Sequence, residues 1–265
     1  MTMLLRFVTF LAPNVLPVYQ FITAWIGQCL GIETELLSAD THDQYDSLRP
    51  DVAFMCGLPY VLMRRQARPV EALAAPVLAG ERYSGRPIYF SDVIVRLDTP
   101  FRDFADLRGC SWAYNERVSQ SGYGITRHRL IQMGATDGFF SRVVCASWHQ
   151  QAIRWVAEGE IDAAAIDSQV LAIELRDHPE LAASIRVIDI FGPSTIQPVV
   201  ARTDLPDSLK ADVQAAFCML ADDPAARAIL SHGLFERFVK VQDADYDDIR
   251  AMLDAAEAAN YWIIQ

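Results

Sequence analysis

The 265-residue sequence has few of the short signatures that name a chemistry. Its five cysteines (Cys29, Cys56, Cys110, Cys145 and Cys218) are scattered, odd in number and contain no C-x-x-C. That argues against a disulfide framework or a thiolate metal site. Most sit among apolar neighbours and are expected to be buried free thiols, a usage that favours a reducing compartment. There is no H-E-x-x-H, G-x-G-x-x-G, G-x-x-x-x-G-K or G-x-S-x-G, and no convincing Ser-His-Asp ordering, so no metal, cofactor or catalytic triad is expected. No apolar stretch approaches the ~20 residues needed to cross a bilayer. The opening MTMLLRFVTFLAPN lacks the basic start, long apolar centre and cleavage site of a signal peptide. The expectation is a soluble chain, either cytoplasmic or trimmed of a leader.

Basic residues are also scarce: 23 Lys plus Arg against 34 Asp plus Glu, a formal net charge of −11. A nucleic-acid binder needs a basic surface, so that class is set aside. A small anion is not, because a pocket of backbone N–H groups can hold one inside an acidic protein.

What is present is alternation. Buried strands are expected at 4–10, 32–38, 51–56, 76–80, 87–96, 110–114, 142–146, 161–167, 184–191 and 197–203. Helical periodicity fills the gaps, with Val18, Ile22, Trp25 and Cys29 on one face of the first helix and a two-turn helix in TPFRDFADLRG. From Pro206 onward only helices are expected. Strand–helix units with a helical C-terminal tail predict an α/β protein of mixed sheets flanked by helices. No linker or repeat divides it. Two long crossings, 87–96 and 197–203, predict a discontinuous first lobe (1–88 plus 199–265) and a second lobe (89–198) joined by a two-strand hinge.

The stretch NERVSQSGYGITRHRLIQMG places hydroxyls and a glycine between a strand and a helix. Ser119 or Ser121 suits an N-cap, and Gly122 lets a ligand approach the backbone. The first helical turn offers unpaired N–H groups with partial positive charge, so two adjacent hydroxyls there can wrap an oxyanion. Simple capping explains the same residues, and local sequence does not separate the two.

Five pieces in order, YFSDVIVR, DLRG, AYNERVSQSGY, ASWHQQAIRWVAEGEIDAAAID and QPVVAR before DLP, resemble the substrate-binding proteins of phosphate/phosphite/phosphonate ABC transporters. The resemblance implies a two-lobed periplasmic-binding-protein fold of the second type that closes on its ligand by a hinge. It implies that Ser119, Gln120, Ser121, Gly122, Tyr123 and Ser91 meet the anion, that Tyr60 lines the cleft, that His149 opens a helix at the site, and that Asp167 meets a ligand's amino end. Gln120 stands where the family has threonine, and Trp148 adds bulk before His149.

Other readings stay open at this level. Asp167 could cap the next helix, and His149 could be a capping or surface residue. Trp148 could stack on a ligand or plug the core. Asn14 and Tyr19 lie where strand one meets helix one, facing either the ligand or the interior. Asp243, Asp245, Asp247 and Asp254 imitate part of a calcium loop, but Asp248 replaces the turn glycine, and an acid-rich helix start explains them. Arg64 and Arg65 form a basic pair beside Tyr60. The function expected is capture of a small oxyanion-bearing ligand, by a monomer that hands it to an ABC permease. The competing readings are a cytoplasmic enzyme on the same fold, resembling menaquinone or thiamin-pyrimidine biosynthesis proteins with His149 and Asp167 as acid–base candidates, and a ligand sensor.

Overall fold

The computed structural model describes residues 4–39 and 41–265. In chain order the elements begin with β1 (Leu4–Thr9), α1 (Leu16–Leu30), β2 (Glu33–Ser38), α2 (Tyr45–Leu48), β3 (Val52–Phe54), α3 (Gly57–Arg65) and β4 (Val70–Leu78). There follow β5 (Ile88–Arg96), β6 (Ser111–Tyr114), α4 (Ile125–Gln132), β7 (Arg142–Cys145), α5 (His149–Glu158), β8 (Ala163–Asp167), α6 (Ser168–Asp177), α7 (Pro179–Ala182) and β9 (Ile185–Thr195). The last are β10 (Val199–Arg202), α8 (Asp207–Met219), α9 (Pro224–His232), β11 (Phe235–Lys240) and α10 (Asp247–Ala258).

The chain divides into two units, residues 1–88 with 195–247, and residues 89–194 with 248–265. The first carries a six-stranded sheet in the order β11-β4-β10-β3-β1-β2. Strand β1 runs parallel to β2 and β3, while β10 and β11 run antiparallel to their neighbours. Its core gathers Phe7, Phe54, Tyr19, Phe217 and Phe238, with the Tyr19 and Phe54 rings 4.4 Å apart. Helix α1 buries Val18, Ile22 and Ile26 and ends at Gly31, whose φ of 64° closes the helix in the left-handed conformation glycine favours.

The second unit carries a five-stranded sheet in the order β7-β6-β8-β5-β9. One face packs on Phe104, Trp112, Phe139, Phe140 and Phe191, whose rings meet edge-on or stacked at 4.8–6.0 Å. Each fully buried ring contributes on the order of 1.5–3 kcal/mol by leaving water. The other face packs on Ile153, Val156 and Leu171. The tail joins the aromatic cluster through Tyr261 and Ile264, and the Phe139 and Phe140 amides donate to the Gln265 carbonyl.

The expected alternation and mixed sheets are present, with local departures. Residues 248–265 pack in the second unit, not with the rest of 199–265. The divisions fall at 88/89, 194/195 and 247/248, so the chain passes between the units three times. Strand β11 lies where only helix is expected. Its FERFVK run pairs with β4 through a register shift between Phe235 and Arg237, which breaks the period-two pattern that would mark a strand. The two-turn helix in TPFRDFADLRG is one tight turn, Phe104–Leu107, capped by the Asp103 carboxylate. The buried face of α1 includes Tyr19, Thr23 and Gly27; Trp25 instead sends its indole N–H to Asp223 (2.9 Å), and Cys29 is exposed. Only Cys56 among the five free cysteines is buried, so the thiols as a group are more accessible than their neighbours suggest. Among the described residues no helix is long and apolar enough to cross a membrane.

Candidate functional site

In the second unit β6 lies between β7 and β8 and runs parallel to both, so the carboxyl ends of all three emerge at one edge. Strand β5 runs antiparallel to β8 with Ser91 opposite Asp167, which brings Ser91 to the same edge. Ligands in open α/β sheets sit at such edges, where helix N-termini point. Three loops converge there: residues 115–124 after β6, 146–149 after β7, and Asp167–Ser168 after β8.

Ser119 is the N-cap of a wide turn over Gln120–Gly124 that runs on into α4. Its Oγ accepts from the Gly122 amide (3.1 Å), and its carbonyl accepts from the Gly124 amide (2.9 Å). The extra residue in this π-type turn is a distortion common at functional sites. Ser121 Oγ lies 3.1 Å from His149 Nε2 and 3.5 Å from Ser119 Oγ. Ser119, Ser121, Ser91, His149 and Asp167 are all buried. Ser119 therefore caps the turn, while Ser121 faces His149.

His149 is placed by a strained loop. Ser147 has φ 65°, a left-handed conformation costly for serine, and the Trp148 amide turns back to the Ala146 carbonyl (2.8 Å). Burial without a charge partner pushes the imidazole down to about 3, so His149 is neutral near pH 7. A neutral ring offers one donor and one acceptor. Asp167 Oδ1 accepts from the Gln169 (2.8 Å) and Val170 (3.3 Å) amides and so caps α6. It stands at the same edge while doing so, so the capping reading is the one the structure shows.

Two expected contacts are engaged elsewhere in side chain. Tyr123 packs edge-on to Tyr114, donates its hydroxyl to the Trp262 carbonyl (3.2 Å) and accepts from the Ile264 amide (2.9 Å). Gln120 Nε2 donates to Ser194 Oγ (3.3 Å) and Met252 Sδ (3.0 Å). Both tie the turn to β9, α10 and the tail, leaving their backbone at the corner. Trp148 is half-buried as the N-cap of α5.

In the first unit, Tyr60 is fully buried; its hydroxyl donates to Asp243 Oδ1 (2.6 Å) and its ring meets Tyr246. Burial raises its ionisation well above the usual phenol range. Arg64 also pairs with Asp243 (3.2 Å), so that aspartate belongs to a local polar cluster. Tyr19 packs on Phe54 and Phe235, and Asn14 is half-buried in the short turn Pro13–Val15. Among the described residues no three potential ligand side chains come together for a metal ion.

The sequence reading missed Asn115. It is buried at the end of β6, and its Oδ1 has no hydrogen-bond partner. A Cβ built on Gly122 would lie 2.0 Å from that oxygen and 3.2 Å from His149 Cε1, so the amide and the imidazole close over the bare Cα of Gly122. Gln150, next to His149, is likewise buried with neither amide atom bonded. Position was the available signal for Asn115, the first residue past a strand end at the ligand edge. Exposed Arg117 bonds to the Tyr114 hydroxyl, which raises its ionisation, and buried Arg127 stacks on the Tyr123 and Trp262 rings.

Solved structures share the fold. A binding-protein component of an ABC phosphonate transporter from Pseudomonas aeruginosa superposes with a TM-score of 0.86 at 18% identity, covering 98% of this chain and 88% of that one. PhnD1 of Prochlorococcus marinus, solved in complex with methylphosphonate, gives 0.84 at 17% identity over 97% and 98%. The aliphatic sulphonate binding protein SsuA of Escherichia coli gives 0.66 at 13% identity over 97% and 87%. The family model for the periplasmic substrate-binding protein of phosphonate ABC transporters matches residues 9–246. This chain belongs to that family of substrate-binding proteins.

Proposed function

We propose that this chain captures a small oxyanion-bearing ligand, phosphonate, phosphite or phosphate-like, at the Ser119–Tyr123 turn and delivers it to an ABC permease. The observation that carries this reading is the buried cluster of neutral polar groups at one strand edge: the Ser121 hydroxyl on His149, the turn that Ser119 caps, and the Asn115 amide over Gly122. A helix start supplies N–H groups and partial positive charge, while burial keeps competing water away. Ser91 and the Gln120 and Tyr123 backbone complete the oxyanion contacts. Asp167 meets a cationic ligand end and half-buried Trp148 the ligand's remaining surface, while Tyr19 and Tyr60 serve the packing of the first unit. Capture is coupled to hinge closure, which ligand favours only through contacts that differ between open and closed states.

Binding, not catalysis, suits these groups. His149 is held neutral down to about 3, and Asp167 is committed to a helix cap, so they form a poor acid–base pair. Calorimetry and thermal-shift measurements with phosphate, phosphite, methylphosphonate and aminoalkylphosphonates test the reading. At least one is expected to bind below millimolar concentration and raise the melting temperature. No response to any of them at millimolar concentration contradicts it.

A further inference from the structure

We infer that the oxyanion is bound in a protonated, singly charged form, its P–OH donating to Asn115 Oδ1, so that the site selects phosphorus oxyanions over sulfonates. This rests on the proposed oxyanion site. Asn115 Oδ1 is an acceptor buried without a donor, and it lies against Gly122, whose own N–H is taken by Ser119 Oγ, in the turn at the start of α4. An ordinary anion brings only acceptors and leaves that oxygen unsatisfied, whereas a P–OH group supplies the missing donor. His149 Nδ1 is also buried and unbonded, and the neutral ring adds either a donor or a second acceptor.

Charge leads to the same form. The groups that this edge brings together are Ser119 and Ser121 from the turn, Asn115 from β6, His149 and Gln150 from α5, Ser91 from β5 and, opposite Ser91 in the ladder, Asp167 from β8, whose Oδ1 caps α6. Around Asn115 in the chain lie Glu116, exposed Arg117 and the exposed Cys145 thiol, which donates to the Asn115 carbonyl (3.1 Å). Arg127 faces the tail and not the corner. Neutral donors beside a carboxylate accept a monoanion far more readily than a dianion, whose desolvation cost is about fourfold greater because it grows as the square of the charge. A sulfonate is a monoanion too, but it carries no proton to give.

Calorimetric titration of the wild-type chain with methylphosphonate and methanesulfonate, over a pH range spanning the second ionisation of methylphosphonate, tests this. Methylphosphonate affinity is expected to be level on the acid side and to fall about tenfold per pH unit beyond that ionisation, with uptake of one proton on binding. Methanesulfonate is expected to bind at least tenfold more weakly than the phosphonate monoanion. Asn115→Ala is expected to close that gap below threefold, while Cys145→Ser, which keeps a donor but removes the thiol's own ionisation, leaves the profile unchanged. A level affinity through the second ionisation, a methanesulfonate gap below tenfold in the wild type, or a gap that Asn115→Ala leaves open would each overturn the inference. Equal binding of both probes defeats proton selection alone; binding of neither, nor of phosphate, defeats the oxyanion site itself.

Discussion

The tightest feature of the site is the contact between Gly122 and Asn115, and it yields a quantitative expectation. A Cβ at residue 122 would meet Asn115 Oδ1 at 2.0 Å, so the two must separate by about 1 Å to reach 3.0 Å, which real side chains respect. Gly122 sits in a helical turn, so replacing it with alanine lowers unfolded-chain entropy and by itself stabilises by about 0.4–1 kcal/mol. Overpacking a close-fitted site costs about 1–3 kcal/mol, so the clash dominates and Gly122→Ala is expected to destabilise by about 1–2 kcal/mol. Binding should suffer more than stability, because the added methyl occupies the face of the turn where an anion would sit. Removing the Asn115 amide removes the obstacle. The double variant Asn115→Ala/Gly122→Ala should therefore regain most of the lost stability, with a coupling energy above about 0.5 kcal/mol in a double-mutant cycle. Urea unfolding of the four proteins measures the coupling, and calorimetry with methylphosphonate measures binding. If the two changes add without coupling, or if Gly122→Ala binds as tightly as wild type, the packing argument is refuted.

Other expectations follow from single groups. The His149 imidazole, held at about 3 in the folded chain against ~6.5 when unfolded, binds a proton only after unfolding in that interval. Stability therefore falls as pH drops below ~6.5, by about 2 kcal/mol at pH 5 from this residue, and His149→Gln should flatten that limb of the melting-temperature profile. Ser147→Gly relieves a left-handed serine and should raise stability by about 1 kcal/mol in urea unfolding without weakening ligand binding. Tyr123→Phe removes the hydroxyl that joins Trp262 and Ile264 and should cost about 1–2 kcal/mol in thermal unfolding while leaving methylphosphonate affinity within threefold. Asp167→Asn keeps an oxygen for the α6 cap, whereas Asp167→Ala should lose about 1 kcal/mol; comparing their melting temperatures isolates the cap.

Much of this architecture is legible in the sequence because alternation of strand and helix leaves period and punctuation behind. The turn at Ser119–Gly122, the helix start at His149 and the strand end at Asp167 stand at the same edge because each follows a parallel strand or its partner. What was not legible depended on long-range packing. Nothing local in DIRAMLDAAEAANYWIIQ says that it packs with the second unit, and β11 hides its period behind a register shift. Tyr123 looked like a ligand contact, yet its hydroxyl is claimed by a tail 139 residues away in sequence. Asn115 escaped notice for the opposite reason. It carries no motif, and only the closeness of Gly122 and the absence of a donor reveal its position.

The most direct measurement is an amide-resolved nuclear magnetic resonance titration with methylphosphonate. Saturable shifts are expected to concentrate at the amides of residues 120–123, with the His149 ring responding at the same ligand concentration. Saturable binding whose shifts fall elsewhere and leave those amides unmoved would contradict an oxyanion site at this turn.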